Sequence, residues 1–441
     1  MAAKTSLSGF PEWLPAERIV EQRVLDILRH TFELHGFAPL ETRSVEPVRE
    51  LERKGETSKE IYLLSRLQDR GGHDAKADKS IGLHFDLTVP FARYIGENAG
   101  SLHFPFRRYQ IQKVWRGERP QEGRFREFYQ ADIDVVGAGE LAFHHEVEVP
   151  LVMAQALAAL PIPPVQMHVN NRKIVQGMCE ALGIEQVDDA LRSIDKLDKI
   201  GQSGVLEEMT QHGIDSAQGE QLLQLAQIHG GLEVLEQVRA LGLSHPLLDE
   251  GLEELGALLR AAEKHASGVV IADLKITRGL DYYTGSVYET FLRGHEDLGS
   301  ICSGGRYDSL VTVGKRTYPG VGMSIGVSRL ISRILGADMA RASREVPSCV
   351  LIAVTNESER DDANEVAYAL RERGIPTEVS PSSSKFGKQI RYADRRGIPY
   401  VWFTDEQGGH SVKDIRSGEQ VDANPQTWQP PQADRWPSWE L

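Results

Sequence analysis

Apolar side chains return at helical spacing in the first regular stretch of the chain. Val20, Val24, Ile27, Leu28 and Phe32 share one face of residues 17–36, and Gly36 supplies a stop, so this stretch predicts an amphipathic helix. At 83–89, LHFDLTV, the period changes to two. Leu83, Phe85, Leu87 and Val89 alternate with His84, Asp86 and Thr88, which predicts a half-buried strand, with Pro90 opening a helix at its first position. Two further strands are predicted at 106–116 and 125–137, joined by GERPQEGR. In the second, Tyr129, Ala131, Ile133 and Val135 make an apolar face. Arg126, Phe128, Gln130, Asp132 and Asp134 make the other, and a phenylalanine among polar groups on an outward face reads as the floor of a ligand site.

From Phe143 to Tyr282 no aromatic residue intervenes. Within that span, 180–265 is a string of Leu- and Glu-rich helical patterns broken by Gly and Pro, which predicts an inserted helical domain. Strands resume near 268. From about 346 the pattern is βαβα: CVLIAV, a helix over 359–373, PTEVS, a helix over 385–396, then YVWFT. That is a small α/β domain. Its end, from about 424, is rich in Pro and Trp and is expected to be loosely ordered.

Composition narrows the class. The 441 residues suffice for several domains whose cores need no staples, and 40% hydrophobic with 26% charged residues is ordinary globular usage. Cys179, Cys302 and Cys349 are far apart and form no CxxC pair, so neither a zinc site nor a disulfide framework is indicated, and a cytoplasmic location is expected. No signal peptide and no membrane span is read from the chain. A net charge of −14 argues against a non-specific polyanion binder but leaves room for a local basic patch.

Such a patch exists. Over 106–126, Arg107, Arg108, Lys113, Arg116, Arg119, Arg124 and Arg126 face only Glu118 and Glu122. A solvated charged hairpin would explain this; so would a strand whose guanidinium clamps phosphate beside an aromatic ring that stacks a base. Asp86, Gln130 and Asp134 taken singly are ordinary strand residues, but with Arg278 and two tyrosines they could hold a small zwitterion. GVGMSIGVSR at 320–329 lacks the spacing of a dinucleotide loop and could serve close packing alone, and no P-loop is present.

The motifs together are more specific than any one. VWRGERPQEGRFREFYQADIDVVG resembles the second motif of class II aminoacyl-tRNA synthetases, and GVGMSIGVSRL resembles the third, ending in its arginine. RGLDYYTGSVYE and ICSGGRYDSL resemble the two signatures that mark the histidine–tRNA ligase family within that class, and KFGKQIRYADRRGIPY with VKDIRSGEQV resembles its anticodon-binding domain. DLT at 86–88 stands where many bacterial members carry Glu-Gly-Thr, a family variant that keeps the carboxylate, and Glu12 stands where the family often has Asp.

The resemblance implies an α+β catalytic core, an antiparallel sheet flanked by helices, with a helical insertion and a C-terminal α/β anticodon-binding domain. The corresponding segments are 1–172 and 268–340 for the core, 173–267 for the insertion and 345–441 for the anticodon-binding domain. It implies ATP-dependent ligation of L-histidine to its tRNA through a histidyl-adenylate, in a homodimer built around 37–55, with Mg2+ carried by ATP and no dedicated metal cage.

Carried over by motif, Arg116 and Arg278 meet the α-phosphate, Phe128 stacks on adenine with Arg329 on its other face, and Glu118 lies near the adenine edge. Asp86, Leu87, Thr88 and Gln130 receive the amino end of histidine. Asp134 and Tyr283 bond the imidazole, while Tyr282, Gly304 and Tyr307 line its pocket. Arg119 and Gln121 meet the acceptor end of tRNA. Lys388, Arg391 and Arg395, at i, i+3 and i+7, share one helix face for anticodon contact, unless that face is merely solvated. Two other readings are a histidine-sensing regulatory paralogue without catalysis, which would lack the anticodon domain and carry eroded signatures, and an RNA-binding adaptor, against which Arg116, Arg278 and Arg329 speak.

Overall fold

The computed structural model describes residues 7–52, 59–67, 80–277, 283–309, 311–313, 315–405 and 407–440. Arg278 and Tyr282 lie outside the described residues. The chain forms two compact units, 1–11 with 25–333 and 12–24 with 334–441.

The larger unit is organised by a nine-stranded sheet. Its strands are β1 (Ala38–Pro39), β2 (Phe106–Trp115), β3 (Glu127–Val136), β4 (Val165–Asn171), β5 (His229–Gly230), β6 (Val270–Asp273), β7 (Ser286–Leu292), β8 (Cys302–Tyr307) and β9 (Gly320–Gly326). Their order is β1-β2-β3-β9-β8-β7-β4-β6-β5. The six from β2 to β4 in that order are all antiparallel. One face is apolar: Tyr109, Ile133, Met323, Tyr288 and Val169 fall in one register row and are all buried. Helix α1 (Pro15–Leu34) buries Leu25, Leu28 and Phe32, as its apolar spacing requires. Six helices between Arg172 and His265 follow β4, so the Leu-rich, aromatic-free stretch is helical.

The smaller unit carries a five-stranded sheet in the order Thr377–Val379, Val350–Ile352, Tyr400–Thr404, His410–Asp414, Gln420–Asp422. The first three are mutually parallel, joined through helices Arg360–Glu372 and Phe386–Arg395, which is the βαβ logic of the sequence pattern.

Three expectations need correction. The segment 83–89 is not a strand: only Ile81–Leu83 is, and helix α2 (Thr88–Asn98) begins one residue before Val89. Both sets of alternating residues are buried, His84 and Asp86 as well as Phe85 and Leu87. His84 reaches the Lys113 carbonyl at 2.7 Å, and Asp86 Oδ1 accepts the Val89 N–H at 3.0 Å, which starts the helix early and puts Pro90 third rather than first. Asp132 and Asp134, with Gln130, do not face water; all three are buried under the segments that cover the sheet. The tail from 424 is ordered within its unit. Trp428 packs edge-on against Tyr400 and Trp402, Asp434 accepts bonds from Tyr400 and Arg416, and Trp439–Glu440 pairs with Arg341–Ala342.

Candidate active site

Directly paired residues in a ladder project to the same face. Register therefore aligns Gln110, Asp132, Ser324, Ser303, Glu289 and His168 in one polar row across six strands. The neighbouring row is Arg108, Asp134, Gly322, Gly305, Val287 and Asn170. A polar floor of this width inside a folded unit calls for partners, since each buried polar group left unbonded costs stability.

At one end of the floor, Asp134 is held from two sides. Arg108 Nη2 lies 2.6 Å from its Oδ2, and the Tyr307 hydroxyl donates to its Oδ1 at 2.8 Å. Burial beside that carboxylate drives the Tyr307 hydroxyl pKa well above its usual value. Arg108 is wholly buried, stacks over Phe91 at 4.2 Å and makes long contacts with Gln110 and the Leu87 carbonyl. Two glycines make room here. A Cβ on Gly322 would fall 2.0 Å from Asp134 Oδ1, and one on Gly320 would fall 2.4 Å from the Tyr307 ring. Gly304 lies in the apolar row, packed against Met323. Tyr283 lays its ring against Gly305. Thr88 is the half-buried first residue of α2.

Four residues along β3 from Asp134 the floor opens into a cavity of about 140 Å³ lined by Arg116, Glu118, Arg124, Phe128, Gln130, Ser303, Ser324 and Arg329. Arg116 sits 5.2 Å from the Phe128 ring centre and donates to the Phe85 carbonyl at 2.9 Å. Arg329 donates to the carbonyls of Gly123 and Ser300. Its pKa is lowered, first by burial and then by Arg124 and Arg116. Three guanidinium groups here meet the single carboxylate of Glu118, at 3.6 Å from Arg116 and 3.9 Å from Arg124. The imbalance favours an anion, and Phe128 offers a face for a flat ring.

Arg119 and Gln121 are exposed in the loop between β2 and β3. Lys388, Arg391 and Arg395 are exposed on helix Phe386–Arg395 of the smaller unit. Among the described residues no group of three or more His, Cys, Asp or Glu could hold a metal ion. Sequence reasoning counted Arg108 as charge without a role and passed over Ser324 and Ser303. The signal for Arg108 was present: Arg108, Gln110 and Gln112 are polar at every second position of a strand.

An antiparallel sheet with Phe128 on a middle strand, and with Arg116, Arg124 and Arg329 reaching one cavity from the end of β2, the loop after it and the helix after β9, is the core of a class II aminoacyl-tRNA synthetase. Residues 9–330 match the family model described as histidyl-tRNA synthetase, and 348–426 match an anticodon binding domain. The histidine–tRNA ligase of Micrococcus luteus is 56% identical, with 99% of this chain and 98% of that protein covered. The enzyme of the same name from Cutibacterium acnes is 53% identical over 99% of both. The crystal structure of histidyl-tRNA synthetase from Nostoc sp. superposes with a TM-score of 0.85 at 35% identity, covering 96% of this chain and 97% of that one. This chain belongs to the histidyl-tRNA synthetase family and is a ligase that charges tRNA with histidine at the expense of ATP. A Bacillus halodurans protein titled as an ATP phosphoribosyltransferase regulatory subunit/histidyl-tRNA synthetase has a TM-score of 0.73 at 21% identity, a likeness of fold alone. The regulatory alternative is set aside, because the full-length relatives at over 50% identity are ligases.

Proposed function

We propose that the two ends of the polar floor divide the first half-reaction between them. ATP lies in the arginine-lined cavity, its adenine on Phe128 with Arg329 on the other face and Glu118 at its edge. L-Histidine lies over Asp134, Tyr307 and Tyr283, with Asp86, Leu87, Thr88 and Gln130 around its amino end and Tyr282 completing the pocket; Gly304, on the opposite face of the sheet, packs against Met323 instead. The observation that carries this reading is the spacing on β3: Phe128 and Gln130 border a cavity with three guanidiniums, and Asp134, bonded by Arg108 and Tyr307, follows on the same face.

The reaction that follows is attack of the histidine carboxylate on the α-phosphorus, with pyrophosphate leaving. Negative charge crowds at the α-phosphate as the new bond forms, and Arg116 and Arg278 are the cations assigned to screen it. Positioned charge of this kind acts without reorganising solvent. Mg2+ carried in with ATP would add screening charge at the phosphates. In the second step a ribose hydroxyl of the terminal adenosine of tRNA attacks the adenylate's carbonyl carbon, forming the ester and releasing AMP. Exposed Arg119 and Gln121 suit contact with its acceptor end, and exposed Lys388, Arg391 and Arg395 suit contact with the anticodon arm.

Replacing Arg116 or Arg278 with Ala tests the assignment. Adenylation, read as histidine-dependent ATP–pyrophosphate exchange, should fall roughly 10²–10³-fold, as for loss of one charge-stabilising donor, with ATP affinity changing far less. Near-normal exchange in either variant would remove that arginine from the phosphate site. A homodimer is part of the same reading, supported by Leu63, Leu64 and Ile81, exposed on a small three-stranded sheet with Val45–Pro47. Light scattering that returned the mass of one chain would refute it. The cytoplasm is the proposed compartment, consistent with three buried, unpaired cysteines.

A further inference from the structure

Asp132 occupies the centre of the polar floor and has no part in the roles above. It is 3% exposed, lies between Gln130 and Asp134 on the same face of β3, and pairs in register with Gln110 and Ser324. Its Oδ1 is buried without a hydrogen-bond partner among the described residues, and so is Gln130 Oε1. The Gln130 amide is anchored at its other end, where Nε2 donates to Ser324 Oγ at 2.7 Å. Two orphaned acceptors therefore stand two residues apart on one strand face, about 7 Å between Cα atoms. A donor placed between them can reach both with hydrogen bonds of about 2.8 Å.

The charge around them says what kind of donor. Asp86, Asp132 and Asp134 cluster about one guanidinium, Arg108, and that guanidinium is closest to Asp134. Asp134 has both oxygens engaged, by Arg108 and Tyr307. Asp86 is engaged at the start of α2. Asp132 has a buried oxygen without a partner among the described residues, in surroundings that carry more negative than positive charge. A neutral donor would fill the hydrogen bond and leave that charge standing. A cationic one fills both.

We propose that Asp132 is a second anionic partner, beside Asp86, of the substrate's α-ammonium group, which it shares with Gln130. The inference rests on the reading that histidine binds over Asp134 and Tyr307. The groups that face Asp132 are Arg108 from β2, Asp134 from its own strand, Ser324 from β9 and Asp86 from the segment before α2. Burial, opposed by Arg108 and reinforced by the two neighbouring carboxylates, raises its carboxyl to about 7 in the ligand-free protein. An arriving ammonium favours the carboxylate, so binding expels a proton from a pocket that holds one near neutrality.

The test compares two ligands that differ only at the amino group. L-Histidine and imidazolepropionate carry the same imidazole and carboxylate, and only histidine carries the ammonium. Calorimetry on full-length wild-type protein and on Asp132→Asn should show histidine weakened roughly 10–100-fold and imidazolepropionate unchanged within about twofold, as for loss of a charged hydrogen-bond partner. Equal weakening of both ligands, or of neither, overturns the proposal. Thermal melting verifies that the variant folds; should it not, Asp132→Ser carries the same comparison. Asp134→Asn separates the two levels of inference. If it leaves both ligands unaffected, the imidazole pocket itself is misplaced. If it weakens both while Asp132→Asn weakens neither, the pocket stands and Asp132 is excluded.

Discussion

Replacing Asp134 with Ala removes the partner of a guanidinium that has no access to solvent. Arg108 is 0% exposed, and its Nη2 lies 2.6 Å from Asp134 Oδ2. With the carboxylate gone, Gln110 Oε1 at 3.3 Å and the Leu87 carbonyl at 3.5 Å remain, and Nε already has no partner among the described residues. Breaking a buried pair from one side costs about 3–5 kcal/mol, because the charge left behind is uncompensated. The Tyr307 hydroxyl loses its acceptor in the same stroke, about 1–3 kcal/mol for a buried donor. The two losses share one carboxylate, so they do not add in full. Asp132 stands close enough to Arg108 to recover part of the first. Set against a typical total of about 5–15 kcal/mol, the lower figure is from about a fifth to over half of the stability. Asp134→Asn keeps an acceptor for Tyr307 and loses only the charge, so it should be the milder change. Urea unfolding of the ligand-free proteins measures the stability, and pyrophosphate exchange measures the KM for histidine. Sequence reasoning treats Asp134 as a reader of imidazole alone and expects a raised KM for histidine with ATP unaffected. If Asp134→Ala unfolds at the wild-type urea concentration while that KM rises, the carboxylate serves the substrate only and the argument from Arg108 is refuted.

Gly322→Ala drives a methyl to 2.0 Å from Asp134 Oδ1 and so displaces the carboxylate without removing it; the KM for histidine should rise roughly 10²-fold with that for ATP near wild type, and an unchanged histidine KM would mean the strand yields instead. Replacing Lys388, Arg391 and Arg395 together should weaken tRNA binding and flatten its salt dependence while leaving adenylation untouched; wild-type affinity and salt slope would show a merely solvated helix face. Asp132 sets a pH dependence of stability in the ligand-free protein. Its carboxyl is raised from 3.8 to about 7, so the folded state holds a proton that the unfolded chain has lost. That contribution is complete below about pH 4 and disappears as pH rises through about 7, a swing on the order of 4 kcal/mol at most. Asp132→Asn should therefore gain on wild type between pH 5 and 8 in urea melts, and a constant difference would contradict the assignment.

The elements with strong periodicity were legible in the chain itself. Helix α1, strands β2 and β3, the helices of 172–265 and the βα pattern after 346 all carry long runs of one period, and a long run of one period overrides local accidents of propensity. The family was legible for a related reason: its motifs are residue types at short, fixed spacing, which one chain displays without its fold, and the family model matches residues 9–330. Residues 83–89 were misread because alternation reports that two sets of side chains point apart, and says nothing of whether both sides are covered. His84 and Asp86 are buried by the sheet edge and by the helix that Asp86 itself starts. The tail was misread because Pro and Trp lack a period, and the contacts that order it, Trp428 on Tyr400 and Trp402, come from 26 to 28 residues earlier in the chain.

What the sequence alone determined is the class of chemistry, because it follows from residue type and from neighbours a few positions away. What only the tertiary structure decided is how the charges are shared. Arg108 and Asp134 are separated by 26 residues, and Asp134 and Tyr307 by 173. Only the register of β2, β3, β9 and β8 brings them together. Once together and out of water, the carboxylates differ in how many donors reach them, which leaves Asp134 engaged and Asp132 with an acceptor free among the described residues.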